Sequence, residues 1–187
     1  MDFEVQARAG DVRSLGRLLA TTPSSLKIGS CLVDGVLVAA HPPHPELGAV
    51  VGRAGPTALV IEVEREPVTS LAEVGRAVRP FLPRVAVASF DERLLIEVRR
   101  RSAAATTFLF DRPSRVATVA DTLGPRHDLV TAELVRAAHT VGLRVVPWVV
   151  NDVRRLTELL ALGVDGVVTD EPALAREVAA SRASLAA

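Results

Sequence analysis

Residues 142–170 read GLRVVPWVVNDVRRLTELLALGVDGVVTD. An apolar run, Leu143 to Val150, is followed by the Asn151-Asp152 turn, then by leucines at 156, 159 and 160 in helical spacing, then by Gly163 and a second short apolar run, DGVVTD. Strand, capped helix, glycine stop and strand form one β/α repeat, and the two strands are expected to lie parallel through a right-handed crossover. The only tryptophan of the chain, Trp148, stands at the end of the first of these strands.

The same alternation extends to both ends. FEVQAR precedes a helical pattern over 11–20. LKIGSCLV and VLVAAH follow, then a Pro-rich turn and a small helical candidate at 46–53. ALVIEVE, VAVASF and ATTFLF each precede a helical pattern, at 70–79, 91–101 and 114–123. A brief RHDLV segment then leads to a helix over 132–141. If VLVAAH is a hairpin extension of the second strand, about eight β/α units remain, the number that closes a (β/α)8 barrel. An open doubly wound sheet is the alternative, but no glycine-rich phosphate loop follows the first strand. The expectation is therefore an α/β fold, a compact TIM barrel forming a single domain over 1–187, with shorter loops than the roughly 250 residues of a typical barrel allow.

Ser70, Asp91 and Thr131 are expected helix caps, as are Asn151 and, in the same way, Asp170. Composition narrows the function. The chain of 187 residues is 49% hydrophobic with zero formal net charge, so no global field draws it to nucleic acid or an anionic bilayer. The cations of Arg99, Arg100 and Arg101 complement a helix C-terminus. The opening residues lack the apolar core of a signal peptide, and no apolar run reaches the roughly 20 residues of a membrane span, so a cytoplasmic location is expected. Cys31 is the single cysteine and reads as packing. Lys27 is the only lysine among many arginines.

Taken at the strand ends, the chain resembles the glycerophosphodiester phosphodiesterase family. GLRVVPWVVND and LGVDGVVTD are similar to the family's Trp-Thr-Val-Asn and Leu-Gly-Val-Asp-Gly-Ile-Ile-Thr-Asp stretches; VASFDERLL resembles its Ser-Phe-Asp segment, DLVTAELVRAAH its penultimate helix, and DGVLVAAHP its Asp-Gly-x-x-Val-x-x-His-Asp hairpin. The resemblance is strong from 85 to 178 and loose before that. It implies a barrel that hydrolyses glycerophosphodiesters to glycerol 3-phosphate and an alcohol. By the same resemblance, carboxylates hold Mg²⁺ or Ca²⁺ and two histidines move protons.

Residue by residue, the resemblance also implies losses. The family's His-Arg-Gly falls on Arg8, Ala9 and Gly10, and its Glu-x-Asp falls on Lys27 and Gly29. His-Asp becomes His41-Pro42, leaving His41 as the catalytic candidate, and Glu-x-Lys becomes Glu62-x-Glu64, leaving Glu62 as the only candidate metal ligand. Lys27 is expected to project beside Glu62 and supply the positive charge where a cation would sit, so that no metal cofactor is expected. Arg8, Lys27, Trp148 and His127 are the candidate contacts for a phosphorylated small molecule; Trp148 either lines the ligand's glycerol or packs the core. His44 reads as solvent-facing and His139 as a surface or interhelical residue. The expected outcome is weak, altered or absent hydrolysis. The alternative is a non-catalytic protein that binds a phosphorylated small molecule or a protein partner.

Overall fold

The structure, a computed structural model, describes residues 3–9, 15–21, 23–33, 36–40, 46–64, 71–81, 85–113 and 119–185. Its strands are β1 Glu4–Ala9, β2 Ser25–Val33, β3 Val36–Ala39, β4 Ala58–Val63, β5 Val85–Ser89, β6 Thr106–Phe110, β7 Thr122–Pro125, β8 Arg144–Val145 and β9 Gly166–Thr169. Between them lie α1 Leu15–Ala20, α2 Leu47–Ala54, α3 Leu71–Val78, α4 Glu92–Arg101, α5 Ala132–Thr140, α6 Val153–Leu162 and α7 Pro172–Leu185. The sheet runs β8-β7-β6-β5-β4-β2-β1-β9, parallel at each pairing, with β3 added antiparallel to β2 as the expected hairpin.

The ends of that order meet. Asp165 N–H donates to Val145 O at 2.9 Å, Val168 N–H to Pro147 O at 2.8 Å and Val150 N–H to Val168 O at 2.8 Å. Asp165 adds a side-chain stitch, accepting from Val145 N–H at 2.7 Å, while an imidazole nitrogen of His139 on α5 lies 2.9 Å from the same carboxylate oxygen. These bonds satisfy backbone groups that an open edge would leave unpaired, and the sheet becomes a TIM barrel.

Alternation along the strands sorts the side chains. Val5, Ala7 and Ala9, Leu26 and Ile28, Leu59, Ile61 and Val63, and Val85 and Val87 point outward into the main core against the helices. Their neighbours point inward, where Val60, Ala88 and Leu109 form a small buried plug with Ala86 and Trp148 packed on it. Register keeps the inward set on common levels. Arg8 pairs with Lys27, Gly29 with Glu62 and Glu62 with Ala88.

Two of the expected caps and one glycine stop are present. Asp91 accepts from Arg93 N–H at 2.9 Å and Thr131 from Leu134 N–H at 3.1 Å. Gly163 closes α6 in the left-handed region, at φ 83°, donating its N–H to the last turn. Ser70, His41 and His44 lie outside the described residues.

Three readings of the sequence are corrected. The helix expected over 114–123 does not extend to its end: Thr122–Pro125 is the seventh strand, and the RHDLV segment holds a 3-10 turn, His127–Leu129, instead of a strand. Asp121 explains the difference. Its carboxylate accepts from Thr106 N–H at 2.8 Å and takes Arg99 Nη1 at 2.7 Å, pinning the start of β7 beside β6. The cap of α6 is Asp152, which accepts from Arg155 N–H at 2.8 Å; Asn151 faces the other way, toward β9. Asp170 does not cap α7 with its side chain, which turns to Arg8 and Asn151, while Thr169 Oγ1 accepts from Glu171 N–H at 3.0 Å.

No helix among the described residues is long and apolar enough to cross a membrane.

Two glycines make the packing testable. A Cβ at Gly166 would stand 2.4 Å from Glu4 O across the β1/β9 pair, whereas a Cβ at Gly52 on α2 meets nothing within 4 Å. Gly166→Ala is expected to lower unfolding stability by about 2–3 kcal/mol through forced backbone shifts, and Gly52→Ala to raise it by about 0.5–1 kcal/mol through reduced unfolded-state freedom. Urea midpoints of the two variants check both signs.

Candidate functional site at the barrel mouth

Strand ends at the C-terminal face bring together Arg8 from β1, Lys27 and Gly29 from β2, Glu62 from β4 and Glu64 just after it, Phe90 after β5, Trp148 and Asn151 after β8, and Asp170 after β9. At its centre, Lys27 Nζ lies 2.8 Å from Glu62 Oε2, with side-chain exposures of 5% and 20%. The expected juxtaposition of these two residues is present. The same ammonium stands 5.8 Å from the centroid of the Trp148 ring, within range of the indole quadrupole. A carboxylate this far from water costs several kcal/mol unless a positive charge faces it, and here the ammonium does so.

Gly29 leaves the position next to Glu62 bare. A Cβ built there would be 3.4 Å from Ala40 Cβ and 3.7 Å from Glu64 Oε1, so the Glu64 carboxylate leans over the space the glycine vacates. Among the described residues no group of three His, Cys, Asp or Glu is arranged to hold a metal ion. Glu62 has its Oε2 facing an ammonium, and its neighbour on β2, Gly29, contributes no donor. Among the described residues these donors alone fall short of the six or more oxygens that a divalent cation takes.

Trp148 is fixed at both ends. Its indole N–H donates to Gly124 O at 2.7 Å, its backbone carbonyl accepts from His127 N–H at 2.9 Å, and Phe90 meets its ring edge-on at 5.6 Å. Gly124 itself lies close against β6: a Cβ there would stand 2.6 Å from Leu109 Cδ2 and 3.1 Å from Thr107 Cγ2. Trp148 packs on the interior plug, as the packing reading of the sequence expects, and borders the mouth. His127 sits in the 3-10 turn beside it, with Nδ1 buried and without a hydrogen-bond partner among the described residues. Arg155, on α6, donates to the His127 carbonyl.

On the other side of the mouth Arg8 makes a two-pronged pair with Asp170, Nε to Oδ1 at 2.8 Å and Nη2 to Oδ2 at 3.0 Å. Asn151 completes the unit, donating from Nδ2 to Asp170 Oδ2 at 2.8 Å and accepting Asp170 N–H at 2.9 Å and Thr169 Oγ1–H at 3.1 Å. Sequence reasoning missed this clamp. The available signal was a polar residue just past each of two adjacent strands, Asn151 after the eighth and Asp170 after the ninth. Burial acts to raise the Asp170 carboxyl, but the hydrogen bonds from Arg8 and Asn151 and the Arg8 charge outweigh it and hold the group below its ordinary value.

Comparisons with known proteins bear on the family and the fold. Residues 60–174 match the model of the glycerophosphoryl diester phosphodiesterase family. No curated protein matches. Among solved structures, a Silicibacter pomeroyi chain designated a glycerophosphoryl diester phosphodiesterase superposes with a TM-score of 0.85 at 22% identity, over 97% of this chain and 94% of the other. A Parabacteroides distasonis glycerophosphodiester phosphodiesterase gives 0.81 at 17%, over 98% and 100%. An Oleispira antarctica phosphodiesterase in complex with the product sn-glycerol-3-phosphate gives 0.80 at 16%, over 95% and 96%. At these identities the likeness to solved structures establishes the fold.

The clamp has a pH signature. Because the folded-state value of Asp170 is lowered, its contribution is present above the ordinary carboxylate value of 3.8 and is lost as pH falls through the lower folded value. At pH 7 Asp170→Asn is expected to reduce unfolding stability by about 1 kcal/mol, solvent screening of the half-exposed guanidinium keeping the loss small. The gap between the two proteins should close below pH 3.8. Urea titrations from pH 7 downward measure it.

Proposed function

The chain belongs to the glycerophosphoryl diester phosphodiesterase family, and from that premise we propose that its barrel mouth binds a phosphorylated small molecule while the family's metal-dependent hydrolysis is weak or lost. One observation carries the reading: Lys27 Nζ sits 2.8 Å from Glu62 Oε2, where the family resemblance puts carboxylates around a divalent ion. An ammonium satisfies the buried charge of Glu62 as a cation would. It has no open coordination positions, so it neither polarises two ligand oxygens nor ionises a hydroxyl.

Two further features support the reading. Gly29 stands where the resemblance calls for a second carboxylate, and Arg8 where it calls for the first histidine. His41 is the one residue left to move a proton, and any residual hydrolysis runs through it without metal. Arg8 keeps one guanidinium nitrogen outside its pair with Asp170 and is half-exposed, which suits a phosphate at the rim. We read 1–187 as one domain of cytoplasmic, metal-free function. In the second reading the same mouth serves a protein partner, favoured by the exposed ring of Phe90 at its edge.

The hydrolysis assay decides the central point. Glycerophosphocholine incubated with the purified chain is expected to release glycerol 3-phosphate at close to the uncatalysed rate, unchanged by millimolar Mg²⁺ or Ca²⁺. Metal-stimulated turnover would contradict the proposal.

A further inference from the structure

We propose that the base of the barrel carries a second binding site, separate from the mouth, for a small neutral polyhydroxylated molecule of the sugar or polyol class. The interior plug of Val60, Ala88 and Leu109 divides the barrel in two. Above it lies the mouth. Below it opens a cavity of about 430 Å³, within the roughly 300–1,000 Å³ of small-molecule pockets.

The strand register accounts for the cavity. Barrel interiors are ordinarily filled by layers of bulky branched side chains. At the base the inward positions of this chain are mostly small: Ser25 pairs with Ala58, Thr107 with Thr122, and Ala86 with Val60 of the plug. Ala103, Ala104 and Ala105, between α4 and β6, border the opening, so no long side chain closes it there.

Charge and hydrogen bonding then select the ligand. The lining holds one acid and one base, and the two meet, Arg144 Nη1 lying 2.8 Å from Glu4 Oε2. Gln6 Nε2 and Ser25 Oγ both donate to the other oxygen, Glu4 Oε1, at 2.9 Å. Glu4 is therefore engaged on both oxygens and the site is neutral. A ligand with net charge would leave water without gaining a counter-ion. The groups left for a ligand are themselves uncharged. The side-chain hydroxyls of Thr107 and Thr122 have no hydrogen-bond partner among the described residues, although Thr122 is only 9% exposed. Each can donate or accept, and Gln6, 5% exposed, keeps its amide oxygen as an acceptor. Ligand hydroxyls answer all three groups, being donors and acceptors at once, while Ala58, Val60 and Ala86 meet the carbon skeleton. The Glu4–Arg144 pair also ties β1 to β8 across β9, so the test leaves it unaltered.

Sorbitol, xylitol, D-glucose and erythritol are titrated against isotopically labelled protein while backbone amide shifts are followed. At least one of them is expected to shift Gln6, Thr107 and Thr122 saturably at millimolar concentration, with smaller changes at Asn151 and Asp170 in the mouth. The charged relatives gluconate and glucosamine should bind about tenfold more weakly or worse. Thr107→Val and Thr122→Val keep the shape of the side chain and should each weaken binding about tenfold, by leaving a ligand hydroxyl without its partner. Ala58→Leu, at an exposed strand start, fills the cavity and should abolish the shifts; circular dichroism verifies the fold of each variant. Saturable shifts confined to the mouth, no saturable shift with any of these polyols and sugars, tighter binding of gluconate than of sorbitol, or unchanged affinity in both threonine variants overturns the inference.

Discussion

A carboxylate mostly withdrawn from water inside a barrel needs a positive charge facing it, and in this chain the charge facing Glu62 is covalently part of the protein. Lys27 Nζ sits at 2.8 Å with only 5% of its side chain exposed, a placement the barrel interior tolerates because the pair is made. Much of the mouth follows from it. The ammonium draws on the Trp148 ring, Trp148 is held by the Gly124 carbonyl, and Gly124 packs closely against Leu109. A substitution at Lys27 would therefore disturb the plug of the barrel as well as its charge.

The second charged unit works differently. Arg8, Asp170, Asn151 and Thr169 join β1 to the turns that follow β8 and β9, where the cylinder closes. Backbone hydrogen bonds and the Asp165 carboxylate stitch the opposite end of that seam, with His139 supporting the carboxylate from α5. Closure thus rests on short polar side chains at strand ends, while the apolar faces supply the bulk of the burial. The family match and the fold agree with one another.

Much of the architecture was legible in the sequence because its strands are β-branched runs and its helices start at Asp or Thr and stop at glycine. Asp91, Thr131 and Gly163 all act as their positions suggest. The seventh strand escaped because TLGP carries glycine and proline, residues depleted from strands. Its place is fixed by Asp121 reaching across to β6 and by the indole that docks on Gly124, contacts that no local pattern encodes. Asn151 was misread for a related reason: two adjacent polar residues could each cap α6, and only the position of β9 decides that Asp152 does so. The proximity of Lys27 and Glu62 was readable from alternation and strand order. The Arg8 clamp was not, since its partner is 162 residues away.

The most direct test of the account is to restore acids at the two β2 positions and follow cation binding. In Lys27→Glu, Gly29→Asp, where the tightest neighbour of a new Cβ at residue 29 is Ala40 Cβ at 3.4 Å, millimolar Ca²⁺ or Mg²⁺ is expected to raise the thermal midpoint, by the linkage of binding to folding. The unaltered chain is expected to show no such shift. A metal-dependent rise in the unaltered chain, or none in the variant when it is folded, would contradict the claim that the ammonium of Lys27 stands in the place of the ion.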